Sequence, residues 1–155
     1  MPDPYFSEAT QTFDEAAFVK WTHDVNPSAI AEFRSTKGRT QIGGGKLPLL
    51  LFTHTGRKSG ARYTTPIVHL KVGERYVIIG SMGGSPAHPQ WYHNLVADPL
   101  VVLEVGEEQF TARARVVEGE ERAELFAMMA ALAPEFESYS NRTTRVFPVV
   151  VFERV

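Results

Sequence analysis

Three cationic side chains lie within six positions of one another in the segment HTGRKSGARYTTP, residues 54–66. Glycines bracket the first two, Arg57 and Lys58, and free the backbone so that its N–H groups can face an anion. A guanidinium can bind two phosphate oxygens at once, and an ammonium adds a point charge beside it. Lys46 and Arg62 could extend the same positive patch. The alternative is a hairpin turn with solvated charges, which composition alone favours because such turns are common.

Small residues and glycines concentrate in a second segment, IIGSMGGSPAHPQWYHNL, residues 78–95. A predicted strand ends here and a predicted helix begins. Its three glycines would let another backbone or a flat ring approach closely, and the first N–H groups of the helix would suit a carbonyl or a carboxylate. An ordinary strand-to-helix loop is the alternative, and Trp91 and Tyr92 fit core anchors better than ligand platforms.

Several other common chemistries lack their motifs in this chain. The five histidines show no H-E-x-x-H or similar spacing, so no metal site is predicted. There is no G-x-S-x-G for a serine hydrolase, no cysteine for a Cys-His pair and no G-x-G-x-x-G for a nicotinamide site. The cationic loop is not a P-loop, because G-x-x-x-x-G-K-[ST] is missing.

The composition is that of a single globular domain, which we expect to span residues 1–155. The formal net charge of −2 leaves no overall field toward nucleic acid or acidic lipid, so any cationic site must be local. The chain has no cysteine, no secretory signal and no apolar run of about 18 residues. These features fit a cytoplasmic protein.

The first part of the chain predicts a lead-in and two helices. Two prolines and several polar residues indicate a flexible lead-in over residues 1–12. Helical spacing follows over residues 14–23. Pro27 suits the first position of a second helix, which Gly38 would end. Residues 13–38 are therefore predicted to be the N-terminal helices.

From Leu47 onward the pattern changes to strands. LPLLLFTH is an apolar run typical of a strand buried on both faces. Pro66 would place the next strand, RYTTPIVHLKV, at an edge or a bulge. GERYVIIGS, a hairpin turning at Gly106 and RVFPVVVFERV supply the others, and helices are predicted over AHPQWYHNLVADP and GEERAELFAMMAALAP. About six mostly antiparallel strands with peripheral helices predict an α+β fold, a small β-barrel over residues 47–155.

Three separated blocks resemble the deazaflavin-dependent nitroreductase family, which consists of actinobacterial oxidoreductases. They are LLLFTHTGRKSGARYTTPIVHL, YVIIGSMGGSPAHPQWYHNLVADP and RTTRVFPVVVFE. The most specific marks are T-G-R-K-S-G with a proline ten residues after its first glycine, then W-Y-x-N-L, then R-x-x-P-V-V. The resemblance covers residues 47–152 and implies a split β-barrel related to the flavin mononucleotide-binding barrels. It also implies hydride transfer from reduced coenzyme F420 to an electron-poor acceptor, such as a quinone, an activated enone or a nitro compound.

The resemblance further implies which residues bind the coenzyme. Arg57 and Lys58 would contact its phosphodiester and acidic tail, and residues 78–83 would lie against the deazaflavin ring. Asn94 would be near the coenzyme. The full set of implied coenzyme-binding residues is Lys46, Arg57, Lys58, Ser59, Arg62, Thr65, Pro66, Ile79, Gly80, Ser81, Met82, Gly83, Trp91 and Asn94.

Departures from the family narrow the expected chemistry. Met82 stands where a relative has lysine, and Arg62 is displaced by one position from the expected arginine. Relatives that reduce nitroimidazoles carry clustered tyrosines in the late helical region. This chain has Ala133, Phe136 and Tyr139 there, so a different substrate pocket is expected and nitroimidazole turnover is in doubt.

Ser81 and Tyr139 are the predicted catalytic groups, either of which would donate a hydrogen bond or a proton to the acceptor. Three alternatives stay open: a flavin mononucleotide- or haem-binding split barrel, a non-catalytic carrier of coenzyme F420, and a barrel that binds partners through its N-terminal helices. We expect a small-molecule acceptor, no nucleic acid, and a monomer or weak dimer. Some relatives reach membranes through an N-terminal segment. Residues 1–36 lack the basic face that an anionic surface favours, so peripheral association with the inner membrane face is the less favoured expectation.

Overall fold

The computed structural model describes residues 3–40 and 47–155. Its helices are α1 Glu15–Ser35, α2 Gln90–Ala97, α3 Gly119–Leu132 and α4 Glu135–Ser140. Its strands are β1 Phe6–Ser7, β2 Thr12–Phe13, β3 Leu49–Thr55, β4 Arg62–Val68, β5 Leu70–Val72, β6 Arg75–Ile79, β7 Leu100–Val105, β8 Glu108–Val117 and β9 Val149–Arg154. A 3-10 turn, Met82–Gly84, lies between β6 and α2.

Seven strands form an antiparallel sheet in the order β4-β3-β7-β8-β9-β6-β5. β4 and β5 lie at opposite ends of this order, yet His69 alone separates them in the chain. The sheet must therefore curl until its two edges meet in one extended segment, which gives a half-barrel and confirms the predicted α+β split barrel. The predicted strand RYTTPIVHLKV is divided at His69, which adds the seventh strand. Pro66 does lie in an edge strand, β4. The outer side of an edge strand has no neighbouring strand to bond, so the missing N–H of proline is tolerated there.

Both faces of the curled sheet are buried, one inside the barrel and one beneath helices. Alternate residues of a strand point to opposite faces. Val77 of β6 therefore packs on one side in a cluster with Met129 of α3, while Ile78 packs on the other side with Phe52 of β3 and Leu95 of α2. Burial on both sides explains why these strands read as continuous apolar runs. It also holds α2 against β3, which positions the site described below.

α1 is one helix, which corrects the prediction of two. Asp14 caps its start, since its Oδ1 accepts a hydrogen bond from the Ala17 N–H at 3.1 Å. Pro27 consequently lies in the helix interior, where its ring removes one backbone hydrogen bond. The second half stays helical because Phe33 is buried against β3. After the helix, the Gly38 N–H donates to the Phe33 carbonyl at 2.8 Å.

Residues 3–13 form a hairpin, in place of the predicted flexible lead-in. β1 pairs with β2, with Phe6 opposite Phe13. The rings of Tyr5 and Phe13 each contact Phe18 of α1 at a centroid separation of 5.5 Å. Aromatic packing onto α1 therefore gives a regular structure to a stretch that its prolines and polar residues had predicted to be flexible.

The two helices predicted later in the chain are confirmed as α2 and α3, and Gly106 turns the β7–β8 hairpin at φ +57°. Among residues 3–40 and 47–155, no helix combines the length and apolarity that a bilayer crossing requires.

Candidate functional site

The cationic loop, residues 56–61, joins β3 to β4 and has a closed, hydrogen-bonded shape. The Gly56 N–H donates to the Ala61 carbonyl at 2.7 Å, and the Gly60 N–H donates to the Gly56 carbonyl at 2.8 Å. The Ala61 N–H donates to Ser59 Oγ at 3.1 Å. The N–H groups of Gly56, Gly60 and Ala61 therefore already have partners within the loop, in contrast to the expectation that the glycine N–H groups would face an anion. Binding of an anion would depend mainly on the loop's side chains.

Arg57 is anchored to α2 through two uncharged amides. Its backbone N–H and its Nη1 both donate to Asn94 Oδ1, at 3.1 and 3.0 Å. Its Nη2 donates to Gln90 Oε1 at 2.8 Å. An amide oxygen fixes a guanidinium without cancelling its charge, and a guanidinium has five N–H donors, so others stay available for a ligand. The positive charge is therefore held in place and still usable.

Lys58 and Arg62 complete an exposed cationic group with Arg57. Within the described residues, none of these three side chains pairs with a carboxylate. Arg62 instead donates from Nη1 to Thr55 Oγ1 at 2.9 Å. Lys46, the fourth predicted cation, lies outside the described residues. Uncompensated positive charge on a rigid loop has the chemistry that an acidic, phosphate-bearing coenzyme requires, so the residues present fit such a group.

Arg57 is the first member of a hydrogen-bonded series, Arg57–Asn94–His54–Thr65, whose two middle residues are buried; it is called the polar relay below. Asn94 is 5% exposed and His54 is 3% exposed. Asn94 Nδ2 lies 3.2 Å from His54 Nδ1, and His54 Nε2 lies 3.0 Å from Thr65 Oγ1. Burial, with a smaller contribution from Arg62, lowers the pKa of His54 to about 4, so the ring is neutral at pH 7. From the sequence alone, this histidine was considered only as a metal ligand. Its position two residues before the glycine loop could have indicated a role in supporting that loop.

Arg145 holds the segment between β6 and α2. Its Nη1 donates to the Gly80 carbonyl at 2.9 Å, its Nη2 to the Ser81 carbonyl at 2.8 Å and its Nε to the Ser85 carbonyl at 2.8 Å. Burial lowers its pKa to about 10, which still leaves it charged at neutral pH. This arginine begins the R-x-x-P-V-V block, so the block was noticed in the sequence while its first residue received no role.

The glycines of this segment are required by contacts within the chain itself. A Cβ on Gly80 would lie 2.7 Å from Pro148 Cγ, and a Cβ on Gly83 would lie 3.2 Å from the Phe13 ring. Met82 and Gly83 have φ of +46° and +64°, a turn that strains a side chain other than glycine. At Gly80 and Gly83 the chain's own side chains make the close approach that was expected of a flat ring. Contact between this segment and the coenzyme stays a prediction.

The two predicted catalytic groups lie on different elements. Ser81 is buried just before the 3-10 turn. Tyr139 lies in α4, and the guanidinium carbon of Arg142 is 5.1 Å from its ring centroid. Burial, with a contribution from Glu135, raises the pKa of the Tyr139 phenol, so the phenol is protonated at neutral pH and can donate.

Three further predicted coenzyme-binding residues, Ile79, Trp91 and Pro66, mainly contact other parts of the chain. The Ile79 side chain is buried in the cluster beneath α3, so only its backbone can face a ligand. Trp91 packs edge-on against Phe52 with centroids 5.4 Å apart, as expected of a core anchor. Pro66 lies opposite Leu51 in β3.

A curled antiparallel sheet with packed helices and an exposed cationic loop places the chain among the split-barrel proteins. It is similar to the solved structure of an F420-H2 dependent reductase, FDR-A, with a TM-score of 0.64 and 36% identity over 68% of this chain and 94% of that chain. A second similar structure, described as a domain-swapped dimer, gives a TM-score of 0.66 and 31% identity over 87% of this chain and 98% of that chain.

Sequence comparison identifies the family. Residues 28–154 match the F420H(2)-dependent quinone reductase family. The chain is 38% identical over 129 residues to the F420H(2)-dependent quinone reductase Rv1261c of Mycobacterium tuberculosis, which covers 80% of this chain and 86% of the relative. The chain belongs to the F420H(2)-dependent quinone reductase family. It is an oxidoreductase whose cofactor is coenzyme F420, which confirms the fold, family and cofactor predicted from the sequence.

Proposed function

We propose that this enzyme transfers a hydride from reduced coenzyme F420 to a quinone and binds the acidic part of the coenzyme at its cationic loop. The observation that carries the proposal is the group formed by Arg57, Lys58 and Arg62, which has no carboxylate partner among the described residues. A protein with a net charge of −2 has no general reason to leave three neighbouring cations unpaired. The names of the family and of the mycobacterial relative support a quinone as acceptor.

The bound coenzyme supplies the hydride, and the residues of this chain bind and orient it. Lys58 and Arg62 would neutralise the phosphate and carboxylates, and Arg57 would add the N–H donors that α2 leaves free. Arg145 gives the 80–85 segment one backbone shape, so a ring lying against that segment meets a fixed surface. Fixed placement of two reactants is itself a large part of catalysis.

Proton supply to the reduced quinone is assigned to Ser81 or Tyr139. The phenol of Tyr139 stays protonated at neutral pH because burial raises its pKa. Ser81→Ala and Tyr139→Phe separate the two: the true donor's variant lowers kcat while the dissociation constant of the coenzyme stays the same. If neither variant lowers kcat, both assignments are wrong.

A nitroimidazole is expected to be a poor acceptor. Ala133 and Phe136 occupy the late helical region, and both are buried in the cluster beneath α3. Side chains that fill the core do not line a pocket for a bulky substrate. A quinone reduced more slowly than a nitroimidazole, compared by kcat/KM, would contradict the proposed acceptor class.

Coenzyme titration tests the binding site directly. Arg57→Ala combined with Lys58→Ala is expected to weaken binding of oxidised coenzyme F420 by about a hundredfold or more, since each charge-assisted contact contributes roughly tenfold. Arg113→Ala removes an exposed cation from β8 and is the matched control, expected to leave the affinity unchanged. Equal affinity in all three proteins would place the coenzyme elsewhere. Tighter binding of flavin mononucleotide than of coenzyme F420 would reject the cofactor.

Turnover tests the reaction. Reduced coenzyme F420 is mixed with the enzyme and a quinone, an enone or a nitroaromatic compound, and its oxidation is followed optically. We expect the quinone to be reduced fastest. Binding of the coenzyme without acceleration by any acceptor would indicate a carrier rather than a reductase.

We also propose that the enzyme is a monomer or a weak dimer. The support is that core side chains such as Phe52 and Val150 are already fully buried within a single chain, so no partner is needed to cover them. Light scattering across a range of protein concentrations measures this, and a constant dimer mass at every concentration would contradict it.

A further inference from the structure

The Asn94 amide lies between two neighbours: Arg57, which donates hydrogen bonds to it, and His54, which can accept one from it. Its Oδ1 accepts two hydrogen bonds from Arg57, one from the backbone N–H and one from Nη1. Its Nδ2 lies 3.2 Å from His54 Nδ1. Rotating the amide by half a turn would place the NH2 group against the two Arg57 donors. One orientation therefore satisfies all the contacts, and it requires an acceptor on the histidine.

The hydrogen-bond partners also decide where the His54 proton lies. Because the Asn94 NH2 group donates to Nδ1, that nitrogen must carry a lone pair. The neutral ring then carries its proton on Nε2, which donates to Thr65 Oγ1 at 3.0 Å. Arg57, on the exposed loop, is thus connected through Asn94 and His54 to β4.

We propose that His54 is a positioning residue for the coenzyme, which acts by holding the Asn94 amide so that Arg57 keeps the orientation in which it binds the acidic tail. The inference rests on the proposed binding site at the cationic loop. His54 is buried and does not itself contact the coenzyme. Without its lone pair the Asn94 NH2 group would lose its acceptor, so the amide would be held from the Arg57 side alone and the Arg57 guanidinium would lose a firmly fixed partner.

Two substitutions that keep different parts of the ring test this inference. Asparagine at position 54 places an amide oxygen where histidine has Nδ1, whereas glutamine reaches the position of Nε2. Titration with oxidised coenzyme F420 gives the dissociation constant of each variant. We expect His54→Gln to bind about tenfold more weakly, the effect of one hydrogen bond to a charged group, and His54→Asn to stay within about threefold of the wild-type enzyme.

A purely structural histidine would give a different pattern. If both variants weaken binding equally, or if neither does, the inference is overturned. We also expect kcat at saturating coenzyme to be unchanged in both, since an orienting contact acts on affinity; a fall in kcat with unchanged affinity would overturn the inference too. Arg57→Ala separates the two proposals. Weaker binding in Arg57→Ala with normal binding in His54→Gln overturns only the role of His54, whereas normal binding in the Arg57→Ala, Lys58→Ala double variant rejects the site itself.

A measurement on the unmodified enzyme keeps the inference testable if His54→Gln does not fold. Nitrogen-15 NMR distinguishes a protonated from an unprotonated imidazole nitrogen. We expect the His54 proton on Nε2 with Nδ1 unprotonated. A proton on Nδ1 would remove the acceptor that the Asn94 amide requires, and the inference would be wrong.

Discussion

Arg145 donates a hydrogen bond from Nη2 to the Ser81 carbonyl at 2.8 Å, across a sequence separation of 64 residues. The same guanidinium also binds the carbonyls of Gly80 and Ser85. A planar fork with several donors serves three carbonyls at once, which a lysine ammonium on a flexible stem does not do equally well. Three carbonyls of the loop between β6 and α2 therefore depend on one side chain, which lies four residues before β9.

Arg145→Lys is expected to lower the free energy of unfolding by about 2–3 kcal/mol, because buried carbonyls lose charged donors. Urea unfolding measures this change. Arg113→Lys is the control, since Arg113 is exposed on β8 and its replacement should cost less than about 0.5 kcal/mol. Equal losses in the two variants would show that the loop does not depend on Arg145.

Gly80→Ala is expected to destabilise the enzyme by about 1–3 kcal/mol through overpacking. The added Cβ would lie 2.7 Å from Pro148 Cγ and 3.3 Å from its Cδ. Pro148→Ala removes both of these atoms, so the double variant should lose less than the sum of the single losses. Strict additivity in a double-mutant cycle would contradict the contact.

Asn94→Asp is expected to weaken coenzyme binding by about tenfold, although a carboxylate would hold Arg57 more firmly. The reason is that the new carboxylate cancels the charge that the acidic tail needs. Gln90→Glu gives the matched comparison, because Gln90 also contacts the Arg57 guanidinium, whereas the contact with His54 is made by Asn94. Similar losses in both variants, with a smaller salt dependence than in the wild-type enzyme, would identify charge as the cause. A loss in Asn94→Asp alone would point to the relay instead.

Two buried histidines make the stability depend on pH. Burial is the main cause that lowers the pKa of His54 and of His69 from 6.5 to about 4. Between those values the unfolded chain binds protons that the folded chain does not, so the free energy of unfolding falls as the pH decreases. The slope is about 1.4 kcal/mol per pH unit for each histidine. His54→Asn, measured by urea unfolding between pH 7 and 5, should remove one histidine's share; an unchanged slope would contradict the assignment.

Pro27→Ala is expected to raise the free energy of unfolding by about 1–3 kcal/mol. Pro27 lies inside α1, and alanine restores the missing hydrogen bond and removes the steric conflict with the preceding turn. Thermal unfolding measures the gain. A neutral or destabilising effect would instead suit a proline at the start of a second helix, as the local sequence pattern indicated.

Local patterns predicted the elements whose formation depends on near neighbours. The apolar run of β3, the turn at Gly106 and the proline-bounded α3 were all confirmed. Pro27 shows where such reasoning stops. A good local signal for a helix start was overridden because Phe33, six residues later, is buried against β3 and keeps the segment in one helix.

The sequence by itself determined the family, the barrel and the presence of a cationic glycine loop, because these depend on residue types at short, regular spacings. Tertiary structure alone decided which groups support that loop. Arg57 donates a hydrogen bond to Asn94, 37 residues away in the sequence, and Arg145 donates one to the Gly80 carbonyl, 65 residues away. Spacing predicts contacts only within a helix or a strand. Contacts between distant segments form when the sheet curls and α2 packs against β3, and this closure left His54 buried behind Arg57.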